Sequence, residues 1–316
     1  MKEKNIPKFF LLVFFLSCSL ITTSFSQNVK ETKIGFISDT QQPMWIEKIF
    51  LAANNNSAAT NAIFSSIIEK ESISALFHLG DITAFGMCPS EWEEIDKNIE
   101  KLKKANIPIY PALGNHDYFL FKKNSLPQFN KRFPAIKESW YSVRIKNVAV
   151  LILNSNYFRL SDDEIQKQKR WYINKIKELE KDDSIEAIIV GVHHSPFTNS
   201  KVVDPSEDVR KDFVPSFLKS NKSKLFISGH AHAFEHFKRN GKDFLVIGGG
   251  GGLQHPLLMG GSQRWKDLFP IPTSKRMFHY LVCELKDSKL NVRVMMLNSD
   301  FKTFMSAYEI VIETSK

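Results

Sequence analysis

The amino-acid sequence predicts an α/β fold, and three observations support this prediction. Short apolar runs recur along the chain and end in a glycine or a polar side chain, as strands buried on both faces of a sheet do. Segments with apolar residues at helical spacing separate these runs. The last part of the chain instead contains consecutive strand-like runs. Because α/β folds bind ligands at the carboxyl ends of their strands, the polar residues after the runs are expected to share one site.

Five buried strands are predicted, and each delivers polar residues at its carboxyl end. They span 33–38, 75–79, 107–113, 187–192 and 225–228. The residues that follow them are, in the same order, Asp39, Gly80-Asp81, Gly114-Asn115-His116-Asp117, His193-His194 and Gly229-His230-Ala231-His232. The segments 278–285, 289–296 and 307–312 are predicted to be antiparallel strands.

Amphipathic helices are predicted between these strands. Segment 59–70 carries apolar residues on one stripe, and so does the segment from Trp92 to Leu102. Ser161 and Glu164 have the spacing of a capping box, which predicts that a helix begins there. The absence of repeats and of low-complexity linkers predicts one domain rather than two.

The polar blocks, in this order, resemble the calcineurin-like metallophosphoesterase superfamily. The resemblance runs from about Thr32 to Val294. It implies two mixed β-sheets packed as a sandwich and flanked by helices. Segment 229–235 is similar to purple acid phosphatases, but Ala84 stands where those enzymes place a tyrosine, three residues after the bridging aspartate. The resemblance therefore implies a purple-acid-phosphatase-like branch without the iron-binding tyrosine.

The resemblance also implies two divalent metal ions, Mn, Fe or Zn, since oxygen and imidazole ligands on sharp turns suit such a pair. The implied ligands are Asp39, Gln41, Asp81, Asn115, His194, His230 and His232. Asp81 would bridge the metals, with Asp39, Gln41 and His232 at the first and Asn115, His194 and His230 at the second. Gln41 stands where the family usually has histidine, and its amide oxygen can still bind a hard metal. His194 is chosen over His193 because the family ligand stands two residues before a proline, here Pro196.

His116 is the implied catalytic residue, which would protonate the leaving oxygen or stabilise the phosphoryl charge. Asp117 is the second candidate. It either holds the other ring nitrogen of His116 or accepts hydrogen bonds within a turn. The glycine run 248–252 follows a predicted strand at 244–247 and has two interpretations as well, because its backbone amides can contact substrate oxygens or simply form a tight turn. His255 follows it and either lines a pocket or packs in the core.

The function implied is that of an exported, metal-dependent phosphoester hydrolase acting on a phosphorylated small molecule or nucleotide. No nucleic-acid partner is expected. Two alternatives stay open: a nucleotide pyrophosphatase or phosphodiesterase on the same fold, and a non-catalytic binding protein that kept the fold. The intact Asn115-His116 pair argues against the binding protein.

Residues 1–26 are predicted to be a signal peptide, followed by a metallophosphoesterase domain at 27–316. Three lysines precede the apolar run 9–22, and small residues at Ser24 and Ser26 suit cleavage. Cleavage removes three Lys and one Glu, so the formal net charge falls from +9 to +7. A lipoprotein cleaved before Cys18 and an uncleaved anchor are the alternatives, and no stable membrane span is expected.

Two cysteines, Cys88 and Cys283, would remain after this cleavage. They can form a disulfide in an oxidising compartment only if the fold brings them together. The basic charge favours anionic substrates or merely reflects a solvated lysine-rich surface.

Overall fold

Two six-stranded β-sheets pack face to face, with helices on both outer sides. The structure is a computed structural model that describes residues 31–44, 55–118 and 122–314. The predicted sandwich of two mixed sheets is confirmed. The predicted signal peptide, 1–26, and Cys18 lie outside the described residues.

Twelve strands are described. In chain order they are β1 (Thr32–Ile37), β2 (Ala75–His78), β3 (Ile109–Pro111), β4 (Tyr141–Ile145), β5 (Val148–Ile152), β6 (Ala187–Val192), β7 (Ser223–Ser228), β8 (Phe234–Arg239), β9 (Lys242–Ile247), β10 (His279–Lys286), β11 (Lys289–Leu297) and β12 (Phe304–Glu313). The five predicted ligand-bearing strands, the three predicted antiparallel strands and the predicted strand at 244–247 are among them. Strands β4, β5 and β8 were not predicted.

The described α-helices are α1 (Asn56–Lys70), α2 (Glu93–Lys104), α3 (Lys122–Arg132), α4 (Asp162–Lys181), α5 (Glu207–Asp212) and α6 (Val214–Lys219). Short 3₁₀ turns lie at Pro89–Trp92, Tyr157–Arg159 and Gly260–Ser262. The predicted capping box opens α4, because the Ser161 side chain accepts from the backbone N–H of Glu164 and the Glu164 side chain returns the bond. None of the described helices is long and apolar enough to cross a membrane.

The strand order explains why the polar blocks meet. The first sheet has the order β12-β11-β10-β1-β2-β3, in which β1, β2 and β3 are parallel. The second has the order β4-β5-β6-β7-β9-β8, in which β5, β6, β7 and β9 are parallel. The carboxyl ends of both parallel sets therefore deliver their loops to one region of the molecule.

Three apolar clusters hold these layers together. The cluster between the sheets includes Phe36, Phe77 and Ile189, all fully buried. A second cluster packs α1 and α2 on the outer face of the first sheet. A third packs α4 and α6 on the outer face of the second sheet. Because the second sheet is covered on both faces, its strands β5 and β6 are continuous apolar runs rather than alternating ones.

Candidate metal centre

The loops after β1, β2, β6 and β7 are joined directly to one another through the backbone. The N–H of Asp39 donates to the carbonyl of Gly80 at 3.0 Å, which ties the first two loops together. The N–H of Gly229 donates to the carbonyl of His193 at 2.9 Å, which ties the other two. The backbone N–H of His230 then donates to the Asp39 carboxylate at 3.1 Å and so crosses from one sheet to the other.

The backbone is strained where the ligands stand. Asp39, Asp81 and His230 have φ angles of 60°, 52° and 68°, a left-handed region that L-residues rarely adopt. Strain of this kind persists only where the surrounding structure determines the conformation, and it clusters at functional sites. The glycines of the motifs permit close approach, since a Cβ on Gly114 would collide with the Asp81 carboxylate.

The first ligand group consists of Asp39, Asp81 and His232. All three are buried, and their ligand atoms lie within 4.8 Å of one another. The Nδ1 of His232 lies 2.7 Å from the carbonyl oxygen of Leu253, to which it donates. The Nε2 of the same ring therefore faces the group, 3.4 Å from Oδ1 of Asp39. These three predicted ligands are brought together.

Gln41, the fourth predicted ligand, lies beside this group. Its Nε2 lies 3.3 Å from Oδ2 of Asp81 and 3.1 Å from Nε2 of His232. Its Oε1 is buried and has no hydrogen-bond partner among the described residues. A half turn of the terminal amide exchanges the two atoms and points the oxygen at the ligand atoms of Asp81 and His232. In that orientation a cation bound at the first group would satisfy the Gln41 oxygen, which otherwise has no donor. These residues therefore fit a metal.

The second group consists of His193, His194 and His230, whose ring nitrogens also lie within 4.8 Å of one another. Nδ1 of His194 lies 2.9 Å from Oγ of Ser155, which leaves its Nε2 to face the group. The His194 and His230 rings are 4.4 Å apart between centroids. The predicted ligands His194 and His230 therefore share one cluster.

His193 lies closer to the other ligands than the sequence indicated. Its Nδ1 is 2.9 Å from the carbonyl oxygen of Leu79, to which it donates. Its Nε2 is 3.0 Å from Oδ1 of Asn115 and 3.3 Å from Oδ2 of Asp81. The choice of His194 rested on its distance from Pro196 along the chain, and that spacing does not show which way each ring turns. The structure adds His193 to the candidate ligands.

Asp81 occupies the position between the two groups. Its Oδ2 faces Gln41 on one side and His193 on the other, each at 3.3 Å. Its Oδ1 accepts from the backbone N–H of His116 at 2.8 Å. Asn115 joins the second group through His193. A single carboxylate that faces both groups fits the bridging role implied by the resemblance.

The electrostatics of the second group favour neutral imidazoles at His194 and His230 but a charged one at His193. Burial lowers the pKa of His194 to about 3, and the charge on His193 acts in the same direction. Burial also holds the pKa of His230 well below its ordinary value. For His193 burial opposes the charge, but the Asp81 carboxylate outweighs it and raises the pKa of His193 to about 9. Neutral imidazole is the form that binds metals. The Asp81 carboxylate, which stabilises the positive charge on His193, would also attract a metal cation.

His116 lies beside this centre with a defined orientation. Its Nδ1 is 3.1 Å from the carbonyl oxygen of Ala84, and its Nε2 is 4.0 Å from Oδ2 of Asp81. Ala84 is the residue that replaces the tyrosine of purple acid phosphatases, and here its backbone rather than its side chain serves the site. The ring of His116 therefore lies beside Asp81, and its catalytic role stays a prediction.

Asp117 lies between two ligand loops. Its Oδ2 accepts from the backbone N–H groups of Asp81 and Gly114 at 2.9 and 2.8 Å. Its Oδ1 accepts from those of Ile82 and Thr83 at 3.0 and 3.4 Å. Burial and the nearby Asp81 charge raise the pKa of Asp117 to about 7. Of the two roles that the sequence left open, these contacts match that of a turn acceptor, while Nδ1 of His116 faces the carbonyl of Ala84 and not Asp117.

The glycine run 248–252 is structural. Gly250 and Gly252 donate their backbone N–H groups to the carbonyls of Ser38 and Asp39 at 2.9 and 2.8 Å. A Cβ on Gly252 would lie 2.6 Å from the His232 ring. The glycines thus let this loop pack against the Asp39 loop. The N–H groups of Gly250 and Gly252 already donate to backbone carbonyls of that loop. His255 stacks on His232 at 4.2 Å between centroids, so it packs against a ligand.

The chain matches the calcineurin-like phosphoesterase family over residues 32–234, which include all the predicted metal ligands. It belongs to that family. The resemblance to the superfamily, and to its purple acid phosphatases, is thereby confirmed.

One curated relative is a probable purple acid phosphatase 20 of Arabidopsis thaliana, 25% identical over 197 residues, which are 55% of this chain and 44% of the relative. The chain spans less than half of the length of the curated relatives that it matches. Among solved structures, GAP50 of Plasmodium, described as the anchor in the inner membrane complex, has a TM-score of 0.67 at 13% identity and 90% coverage of both chains. Purple acid phosphatase PPD1 of yellow lupin has a TM-score of 0.62 at 16% identity, with 90% of this chain and 54% of that one covered. These structures share the fold.

The two neighbouring histidines can be separated by experiment. We expect His193→Ala to remove one equivalent of bound metal, because its Nε2 faces both Asp81 and Asn115. His194→Ala is expected to lower the affinity for the same metal ion and to leave metal binding at the first group unchanged. Elemental analysis of each purified variant after dialysis measures this. Full metal content in His193→Ala would show that His193 is not a metal ligand.

Proposed function

We propose that this chain is an exported, metal-dependent phosphoester hydrolase with a dinuclear metal centre. The observation that carries the proposal is the position of Asp81, one carboxylate whose Oδ2 faces both ligand groups at 3.3 Å. The family to which the chain belongs supports it. The expected substrate is a phosphorylated small molecule or a nucleotide.

A bound pair of divalent metals would activate water and neutralise charge on the phosphoryl oxygens. Asp39, Gln41 and His232 would hold one ion, and Asp81 would be shared. The other would be held by Asn115, His194 and His230, with His193 as the added candidate. Oxygen ligands dominate at the first ion and nitrogen at the second, so the two positions differ in the metals that they favour.

His116 has a geometry suited to proton transfer. Nδ1 donates to the carbonyl oxygen of Ala84, which orients the ring and leaves Nε2 toward the Asp81 side of the centre. A ring held in this way can present a proton to a leaving oxygen or stabilise charge on a phosphoryl oxygen. The backbone N–H of His116 bonds to Asp81, so the position of the ring is coupled to that of the bridging carboxylate.

Two alternatives compete with this proposal. A nucleotide pyrophosphatase or phosphodiesterase would use the same ligands with other pocket walls. A non-catalytic binding protein would keep the fold alone, and the retained ligand groups and the oriented His116 argue against it. Metal analysis combined with assays on p-nitrophenyl phosphate, its bis ester and a nucleotide pyrophosphate separates the three. A protein that binds two metals and hydrolyses none of these esters would refute the hydrolase.

Substitutions of Asp81 and His116 are expected to lower activity for different reasons. Asp81→Asn weakens the ligand shared by both groups, so metal content and activity fall together. His116→Ala keeps the metals and lowers the rate by roughly 10²–10⁴-fold, the usual contribution of a positioned acid–base group. Turnover and elemental analysis on the same samples measure both. Asp300→Asn, on the exposed turn before β12, is the matched control and is expected to change neither.

Gln41 sets the preference of the first metal position. With Asp39, Gln41, Asp81 and His232 around it, that position is rich in oxygen and suits Mn²⁺ or Fe²⁺ better than Zn²⁺. We expect mild chelation to empty it first and Mn²⁺ to restore more activity than Zn²⁺. Gln41→His is expected to tighten it and shift its preference toward Zn²⁺. Gln42→His, at the half-buried neighbour that bonds Ser57, serves as control. An unchanged affinity and preference in Gln41→His would exclude Gln41 as a ligand.

Export is proposed from the sequence of residues 1–26. The mature protein is expected outside the cytoplasm with its amino terminus near Gln27. Cell fractionation with N-terminal sequencing measures this directly. A chain that begins at Met1 in the cytoplasm would contradict the proposal, and a lipid on Cys18 would support the anchored alternative.

A further inference from the structure

The segment Asn154–Asn156 follows β5 and has no recognisable motif, yet it lies at the same edge as the ligand loops. Its residues are buried, with 0%, 4% and 0% of Asn154, Ser155 and Asn156 exposed. Three consecutive buried polar side chains require hydrogen-bond partners, because an unpaired polar group in the interior is unfavourable. Most of these partners belong to elements that carry the metal ligands.

Helix α4 holds this segment in place. The side-chain amide of Gln168, itself fully buried, accepts from the backbone N–H of Asn154 at 2.7 Å. The same amide donates to the carbonyl of Asn154 at 2.9 Å. Both backbone groups of one residue are thus fixed by one side chain, so the segment is rigid relative to the second sheet.

From this anchor, the segment brackets the loop that carries Asn115 and His116. Nδ2 of Asn156 donates to the carbonyl of Leu113 at 2.8 Å, just before the loop. Nδ2 of Asn154 donates to the hydroxyl of Tyr118 at 3.0 Å, just after it. The position of the loop is therefore set from outside its own sheet.

Ser155 contacts the ligand His194 twice. The backbone N–H of His194 donates to Oγ of Ser155 at 2.9 Å, and Nδ1 of its ring lies 2.9 Å from the same oxygen. A neutral imidazole that binds a metal through Nε2 carries its proton on Nδ1. A hydroxyl oxygen has two lone pairs, so Oγ can accept both the backbone proton and the Nδ1 proton.

We propose that Ser155 is a positioning residue that orients the His194 ring with Nε2 toward the second group and accepts the Nδ1 proton when a metal is bound, and that Asn154–Asn156 couples this ring to the Asn115 loop. The inference rests on the proposed dinuclear centre. Without Oγ, the Nδ1–H of a metal-bound His194 would be buried without an acceptor, so the metal-bound state would be less stable. Hydrogen-bond partners of this kind typically change metal affinity by about 10–100-fold.

Ser155→Ala tests this, with Ser66→Ala as the matched control. Ser66 lies on α1, on the first sheet, and its hydroxyl also makes a single side-chain contact, to the hydroxyl of Tyr280 at 2.8 Å. Zn²⁺ is titrated into each metal-free protein against a chromogenic chelator, and the thermal midpoint of the metal-free protein is recorded. Ser155→Ala is expected to lose about 10–100-fold in affinity for one of two Zn²⁺ ions. Ser66→Ala is expected to keep both affinities.

The hydrogen bond is measured separately by ¹⁵N-edited NMR of the Zn²⁺-loaded proteins. Wild type is expected to show a downfield, hydrogen-bonded Nδ1 proton on His194, and Ser155→Ala is expected to move this proton resonance upfield. Equal Zn²⁺ affinities in Ser155→Ala and wild type, or an equal loss in both variants, would overturn the inference and leave Ser155 a structural residue. A wild-type protein that binds two metal ions neither with Zn²⁺ alone nor with Zn²⁺ and Mn²⁺ together would instead overturn the proposed function.

Discussion

The burial of two carboxylates between two sheets is the constraint on which this structure depends. Asp39 and Asp81 have 0% and 1% of their surface exposed, and both stand in left-handed backbone conformations. Isolated buried charges are strongly unfavourable, so the surrounding elements supply imidazoles and backbone N–H groups. The N–H of His230 crosses to Asp39, and that of His116 reaches Asp81. The same charges that oppose folding make the centre attractive to cations, so stability and metal binding are linked through these two residues.

The fold could be predicted from the sequence where local signals were strong. Strands that end in glycine and a polar ligand, such as β2 and β7, were found because each is an apolar run with a clear stop. Strand β5 has the same kind of apolar run, and its five buried residues were overlooked. Strand β8 was missed because Phe234–Arg239 closely follows the histidine motif and carries four polar or charged residues. Its neighbour β9, not its own pattern, makes it a strand.

The site could be predicted in composition but not in orientation. Motif spacing identified His194, yet it could not show that the ring of His193 faces Asp81 and Asn115, because two adjacent side chains point in directions set by tertiary contacts. Asp117 was interpreted as a catalytic candidate from its place beside His116, and only the fold shows that four backbone N–H groups use its oxygens. Asn154–Asn156 gave no signal at all. Its partners are far away in sequence, and no local pattern reports them.

The pairing of β1 with β10 has a consequence for the order in which the protein can be assembled. The strand that delivers Asp39 is flanked on one side by β2 and on the other by His279–Lys286, more than two hundred positions later. As the ribosome releases the chain from its amino terminus, β1 therefore lacks one neighbour until β10 has been made. All the ligand loops are synthesised before that neighbour. Such long-range pairing slows folding, so the strand that holds Asp39 gains its full support only after every other ligand loop has been made.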